Sequence, residues 1–155
     1  MSFPDTVPSL SRALAARGYE TPPPVQEAVL RPGLETRDLL VSAQTGSGKT
    51  VAFGLAIAPT LLPEGAERLA PVHAPLALVI APTRELAMQV QTELQWLYGE
   101  AGARIASCIG GTDARREARA LQSGPHIVVG TPGRLCDHLK RGNLALSSLR
   151  AVILD

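Results

Sequence analysis

The sequence has few of the side chains that characterise disulfide-rich, metal-binding or membrane proteins. Its 155 residues include two cysteines, Cys108 and Cys136, which lie far apart and lack metal-ligand neighbours in a known spacing. This argues against a disulfide framework or a zinc site and is typical of a reducing cytosol. The longest apolar stretch, residues 51–62, is interrupted by Pro59 and Thr60 and is too short to span a bilayer. We therefore expect a soluble, cytoplasmic protein with no membrane partner.

Aromatic residues are also scarce, at 3% of the chain, so the sequence lacks the stacking platform of proteins that read single-stranded bases. The net charge is only +1, but it is unevenly distributed. Residues 104–155 carry 8 basic and 4 acidic side chains, whereas residues 1–103 carry 7 and 10. A basic last third favours an anionic partner, although a solvated, arginine-rich helix face would explain the same charge.

Lysine occurs only twice, and one of the two, Lys49, lies in the stretch 43–50, which reads AQTGSGKT. An apolar run precedes this stretch and a helix-forming run follows it, which is the setting of a phosphate-binding loop. Gly46 and Gly48 allow backbone N–H groups to turn toward phosphate oxygens, and the helix N-terminus adds partial positive charge. In such a loop Lys49 reaches the β- and γ-phosphates and the Thr50 hydroxyl holds Mg²⁺. The plainer alternative is an ordinary glycine-rich turn.

Apolar runs alternate with helical patterns along most of the chain, and this favours an α/β fold with a parallel sheet covered by helices on both faces. At 155 residues the chain is expected to form one domain. The predicted strands are 39–42, 76–81, 104–109, 126–130 and 151–154. The predicted helices are 9–17, 24–31, 49–62, 84–98, 114–122 and 132–141. Ligands of such sheets bind at the carboxyl ends of the strands.

Candidate site residues follow several of these strands directly. Thr83, Gly110, Gly111 and Thr131 come after three of them. Asp155 follows the apolar run 151–154, in the form of the strand whose carboxylate binds Mg²⁺ through water in phosphate-loop enzymes. A strand ending on a solvated carboxylate is the alternative. Because a chain seldom stops on a buried strand, we expect the sequence to be a fragment.

These residues, taken together, resemble the first domain of a DEAD-box RNA helicase. The matching stretches, in the order of the family, are GYETPPPVQ at 18–26, AQTGSGKT at 43–50, PTRELA at 82–87, Gly110-Gly111, TPGR at 131–134 and VILD at 152–155. The resemblance implies a three-layer RecA-like core over 33–155, with residues 1–32 forming a helical segment that carries the Q motif. Pro23 departs from the family, which usually has threonine there.

The resemblance implies ATP and Mg²⁺ as ligands and assigns a role to each matching residue. Gln26 has the amide donor and acceptor that adenine's edge requires, and Tyr19 matches the position that stacks on adenine. The implied ATP-binding residues are Tyr19, Gln26, Thr45, Gly46, Ser47, Gly48, Lys49 and Thr50, with Lys49, Thr50 and Asp155 catalytic and Thr50 and Asp155 on the metal.

The resemblance also implies RNA as a partner, held through its backbone and without sequence preference. Thr83 is a good helix N-cap, and the same helix start can bind a backbone phosphate, to which Arg84 adds a forked donor. The implied RNA-binding residues are Pro82, Thr83, Arg84, Gly110, Gly111, Thr131, Gly133 and Arg134. The family's second RecA-like domain, its catalytic glutamate and its arginine fingers lie outside this sequence, so we expect very weak hydrolysis from the chain alone.

Three other functions are alternatives to an RNA helicase, because each of them can use a phosphate-binding loop. A DNA-acting translocase of the same superfamily shares the phosphate loop, and a nucleotide-dependent RNA clamp would need no catalysis. A small P-loop kinase needs a lid and an acceptor pocket, which the loop 63–75 does not resemble. The sequence gives neither the RNA target nor the oligomeric state.

Overall fold

A parallel four-stranded sheet with helices on both sides organises the described part of the chain. The computed structural model describes Phe3 and residues 5–155; Met1, Ser2 and Pro4, which belong to the predicted segment 1–32, lie outside the described residues. The helices are α1 (Pro8–Ala16), α2 (Pro24–Val29), α3 (Lys49–Leu61), α4 (Arg84–Leu97), α5 (Ala114–Gln122) and α6 (Pro132–Lys140). The strands are β1 (Ala77–Ile80), β2 (Ile105–Cys108), β3 (Ile127–Gly130) and β4 (Ala151–Leu154).

The strand order is β2-β3-β1-β4, and every pair is parallel. Side chains alternate between the two faces of the central strands. Val79 and Val129 pack with α1, α3 and α4, whereas Leu78 and Val128 pack with α5 and α6. The predicted three-layer α/β architecture is therefore confirmed.

Local sequence signals explain where several helices begin. The Thr83 hydroxyl accepts a hydrogen bond from the Leu86 amide at 3.2 Å, as expected of an N-cap. Asp113 caps α5 by accepting from the Arg115 amide at 2.9 Å. Proline occupies the first turn of α1, α2 and α6, where its missing N–H costs no helical bond. These starts orient α4, α5 and α6 relative to the loops that follow the strands.

The predicted strand at 39–42 is wrong, and the sheet has four strands rather than five within the described residues. A strand requires a hydrogen-bonded neighbour, and this segment has none: Leu40 is fully exposed. An open groove of about 1000 Å³ separates it from β4. We call this the β4 groove; apolar residues of α3 line its floor, among them Ala52, Phe53 and Ala56.

The expectation that all strands are buried on both faces is also wrong for β4, where half-buried and exposed side chains alternate. Val152 and Leu154 are 56% and 78% exposed. Ala151 and Ile153 pack against the cluster formed with α3 and α4, whereas Val152 and Leu154 point to the other face, outside the core clusters of the described residues. β4 pairs with β1 along one edge. Its other edge faces the β4 groove.

The N-terminal helices pack on the sheet domain. Leu10 and Leu14 of α1 are completely or almost completely buried in the same cluster as α3 and α4. Val25 and Val29 of α2 pack against Ala52 of α3. The division at residue 33 stays a prediction. Among the helices described, none combines the length and apolar character that crossing a bilayer requires.

Candidate functional site

The glycine-rich loop enters α3 through two glycines in left-handed conformations. Gly46 has φ +80° and Gly48 has φ +84°, and Gly48 is the N-cap of α3. No atom lies within 4 Å of the position that a Gly46 side chain would take, whereas Ser47 has a buried hydroxyl without a hydrogen-bond partner. Thr45 is exposed, and Lys49 and Thr50 are half-buried in the first turn. The loop thus has open space, an unpaired polar atom and a helix N-terminus, which together suit an anion.

Gln26 lies against this loop and is completely buried. Its Nε2 donates to the Gly48 carbonyl oxygen at 3.2 Å, and its Oε1 is buried without a partner. A buried carbonyl oxygen without a hydrogen bond is costly and marks a place where a donor is missing. An amino group such as that of adenine would supply one.

Lys49 and Asp155 both border the β4 groove, so the start of α3 and the end of β4 face one space. The Asp155 amide donates to the Ile80 carbonyl at 2.9 Å, which fixes the backbone of this residue at the end of β4. Carboxylate and hydroxyl oxygens are suitable ligands for Mg²⁺. Asp155 and Thr50, which are both half-buried, have oxygens of these two kinds.

Tyr19, which was predicted to stack on adenine, contacts another aromatic ring in the structure. Its half-buried ring packs on Trp96, with ring centroids 5.8 Å apart, and the Arg17 guanidinium lies 4.7 Å from the Trp96 ring centroid. Stacking of Tyr19 on adenine stays a prediction.

The loops after β1, β2 and β3 meet at one edge of the sheet and bring two arginines onto the glycine pair. A Cβ atom built on Gly110 would lie 3.6 Å from Nη2 of Arg134 and 3.7 Å from Nη2 of Arg84. One built on Gly111 would lie 2.5 Å from Nη1 of Arg84. Two guanidinium groups held this close repel each other, and an anion between them would relieve that repulsion. We call Arg84, Gly110, Gly111 and Arg134 the arginine–glycine cluster.

The remaining predicted RNA-binding residues surround this cluster with different local roles. Pro82 and Gly133 are exposed, and the Thr83 hydroxyl is occupied as the cap of α4. Thr131 precedes α6 without a side-chain capping bond, and its amide donates to the Cys108 carbonyl at 3.0 Å. Its hydroxyl is therefore not used by the helix that it begins.

No sequence motif includes Glu117, which lies beneath the cluster and is 5% exposed. Its Oε2 accepts from the Ile109 amide at 3.0 Å and from the Thr112 hydroxyl at 3.1 Å. Its Oε1 lies 2.9 Å from Nε2 of His138 and 3.4 Å from Nη1 of Arg134. A single glutamate on an amphipathic helix forms no motif, and its partners lie up to 21 residues away.

Glu117, Cys108 and His138 also form a compact group of potential metal ligands, with their ligand atoms within 4.8 Å of one another. The hydrogen bonding favours a different interpretation. Both Glu117 oxygens have donors, the Arg134 cation is adjacent, and Asn143 Nδ2 lies 3.1 Å from the other ring nitrogen of His138. Burial raises the pKa of the Cys108 thiol to about 12, with Glu117 adding to the rise and Arg134 opposing it, so the thiolate that binds metals is disfavoured. Glu117 and His138 are thus members of a hydrogen-bonded network.

The family model of the DEAD/DEAH box helicases matches residues 23–155, which include the phosphate loop, the arginine–glycine cluster and Asp155. The chain belongs to this family. It is 42% identical over 146 residues to the DEAD-box ATP-dependent RNA helicase CshA of Bacillus licheniformis, covering 94% of this chain and 28% of that protein. It is 47% identical over 144 residues to the ATP-dependent RNA helicase DeaD of Escherichia coli strain K12, covering 92% of this chain and 22% of that one.

A solved DEAD-box structure has the same fold. The RNA helicase Prp28 of Chaetomium thermophilum, crystallised with ADP, superposes with a TM-score of 0.82 at 37% identity, over 95% of this chain and 35% of that one. The core is therefore RecA-like, as the sequence motifs implied. This DEAD-box chain spans between a fifth and a third of the curated relatives that it matches.

Proposed function

We propose that the chain is the first RecA-like domain of an ATP-dependent RNA helicase and that it binds ATP, Mg²⁺ and the backbone of RNA. One observation carries the proposal: the arginine–glycine cluster and Asp155 lie at the same carboxyl edge of the sheet. Asp155 also borders the same groove as Lys49 of the phosphate loop. An α/β domain places its ligands at this edge. A nucleotide and a nucleic-acid strand can therefore contact a single rigid sheet through neighbouring loops.

The residues around the phosphate loop fit ATP. The open left-handed glycines allow approach of phosphates, Ser47 and Gln26 have unpaired buried atoms, and the α3 N-terminus favours negative charge. Lys49 and the loop amides would hold the phosphates, Gln26 would pair with adenine, and Thr50 and Asp155 would hold Mg²⁺. Bound ATP supplies a phosphoanhydride whose hydrolysis is favourable. The chain's own contribution is to bind and orient the phosphates.

The arginine–glycine cluster fits a sugar-phosphate backbone rather than base edges. Arg84 and Arg134 provide forked donors, and Gly110 and Gly111 allow a strand to approach the main chain closely. Contacts of this kind position a nucleic acid without reading its sequence. The unused Thr131 hydroxyl at the start of α6 adds a further donor.

In the whole protein we propose that ATP hydrolysis is coupled to local unwinding of an RNA duplex or to remodelling of an RNA–protein complex. This chain would form the first of two RecA-like domains. The second RecA-like domain would complete the cleft for ATP and RNA, and closure of the two domains would couple the sites.

ATPase assays of the full-length protein test this proposal. We expect hydrolysis to rise strongly with single-stranded RNA and little with DNA of the same length and sequence. Lys49→Ala should abolish turnover, because the phosphates lose their fixed positive charge. Lys140→Ala removes the only other lysine, which is exposed on α6, and should leave turnover unchanged. Unchanged ATPase in Lys49→Ala would refute the nucleotide assignment.

The same assays distinguish an RNA helicase from a DNA-acting translocase and from a nucleotide-dependent RNA clamp. Equal stimulation by DNA would indicate a translocase without RNA preference. Tight nucleotide binding without turnover in the full-length protein would indicate an RNA clamp. Neither alternative is supported by a specific contact in the structure.

A further inference from the structure

Glu117 connects the loop after β2, which carries Gly110 and Gly111, with α6, which carries Arg134. One carboxylate oxygen accepts hydrogen bonds from residues on both sides of the glycine pair, the Ile109 amide and the Thr112 hydroxyl. The other oxygen faces Arg134 and His138 of α6. No sheet hydrogen bond reaches past the end of β2 into this loop, so its position relative to α6 depends on contacts such as these.

The arrangement keeps the carboxylate charged although it is buried. Burial by itself raises the pKa of Glu117, but hydrogen bonds from His138, the Ile109 amide and Thr112, together with the Arg134 charge, outweigh burial and lower it. A buried carboxylate with fewer partners would be costly. Each oxygen therefore has two neighbours that hold it in place.

We propose that Glu117 is a positioning residue for RNA binding: it holds the Arg134 guanidinium over Gly110 and thereby sets the spacing of the arginine–glycine cluster. This inference rests on the proposed function. Nη1 of Arg134 contacts Glu117 at 3.4 Å, while Nη2 lies beside Gly110. One end of the guanidinium is thus anchored and the other is presented to a ligand. Glu117 itself is too buried to touch RNA.

The sign of the charge effect makes the inference testable. Glu117 is negative, so its removal taken alone makes the surface more attractive to RNA phosphates. Loss of positioning acts in the opposite direction. In Glu117→Gln the amide oxygen can still accept from Ile109 and Thr112, but the amide NH2 group cannot accept from Arg134 or from an N–H of His138. The variant therefore frees Arg134 while the glycine loop keeps its partners.

The experiment measures binding of a fluorescent single-stranded RNA to the full-length protein with a non-hydrolysable ATP analogue. We expect Glu117→Gln to weaken RNA binding about fivefold to tenfold, because a misplaced Arg134 loses part of one charge-assisted hydrogen bond to the RNA backbone. The KM for RNA in the ATPase assay should rise likewise, with the affinity for ATP unchanged. Asp137→Asn is the charge control, because Asp137 also lies on α6 but its ion pair is with exposed Arg141, while the Arg134 charge acts on it only at longer range. It should bind RNA as tightly as the wild type or slightly more tightly.

A double-mutant cycle with Arg134→Ala separates positioning from general destabilisation. If Glu117 acts through Arg134, adding Glu117→Gln to Arg134→Ala causes little further loss. The inference would be overturned if the affinity losses of the two single variants multiplied in the double variant. It would also be overturned if Glu117→Gln bound RNA as tightly as the wild type. Should Glu117→Gln fail to fold, Glu117→Asp keeps the charge but is too short to reach both loops, and should also weaken RNA binding. A wild-type protein that does not bind RNA would refute the proposed function and this inference with it.

Discussion

Replacing Gly48 with alanine is expected to destabilise the chain much more than the same change at Gly46. Both glycines have nearly the same left-handed backbone, with φ +84° and +80°. Their surroundings differ. A Cβ atom at Gly48 would lie 2.6 Å from Nε2 of Gln26, whereas one at Gly46 would have no atom within 4 Å. The pair therefore separates backbone strain from contact with Gln26.

The expected magnitudes follow from these geometries. An alanine in the left-handed region costs roughly 1–2 kcal/mol, and this applies to both variants. Gly48→Ala must in addition displace the Gln26 amide, which is completely buried and donates to the Gly48 carbonyl. A buried donor left without its partner costs about 1–3 kcal/mol more. We expect a loss of unfolding free energy of about 2–5 kcal/mol for Gly48→Ala, against about 1–2 kcal/mol for Gly46→Ala.

Urea denaturation followed by circular dichroism measures both losses. The double variant Gln26→Ala/Gly48→Ala provides the decisive comparison. Without the Gln26 amide, the double variant should be less stable than Gln26→Ala only by the cost of the backbone strain at residue 48. If Gly46→Ala and Gly48→Ala lose unfolding free energies that agree within about 0.5 kcal/mol, Gln26 does not fix the conformation of this loop.

Three further results are expected from the same structure. Arg84→Ala should weaken RNA binding by the full-length protein and reduce the slope of log K against log salt by about 0.7, the value for one lost single-strand phosphate contact; an unchanged slope would contradict the assignment. At neutral pH a thiol reagent should label exposed Cys136 and leave Cys108 unmodified until urea unfolds the chain, because burial raises the pKa of Cys108 to about 12; equal rates in the native chain would disagree with this burial. The folded-state pKa of Glu117 is lowered, so its stabilisation is present above the usual value of 4.5 and is lost as the pH falls below it. The stability difference between wild type and Glu117→Gln should therefore shrink in urea titrations from pH 6 to pH 3, and a constant difference would rule out this linkage.

The sequence was sufficient for those parts of the fold that depend on local pattern. Helix 114–122 and strand 151–154 were predicted with the bounds that the structure shows, because caps and apolar runs mark them. The segment 39–42 has the same apolar character but is not a strand, since pairing depends on a neighbour that local sequence does not reveal.

The candidate site divides in the same way. Motifs identified Arg84, Gly110, Gly111 and Arg134, and the structure brings them together. Glu117 was missed because its role comes from contacts between separate loops, which leave no spacing in the sequence. The adenine contacts of Tyr19 and Gln26 stay predictions.

The unpaired edge of β4 has a consequence for how this chain behaves at high concentration. Backbone N–H and C=O groups along such an edge are available to any extended chain, and β4 has no lysine or proline to discourage pairing. Leu40 across the groove and Leu154 on the strand add exposed apolar surface. The chain purified by itself should self-associate through this edge, so light scattering that rises with concentration is expected. A charged side chain at Val152, which is 56% exposed, should reduce that aggregation without disturbing the arginine–glycine cluster.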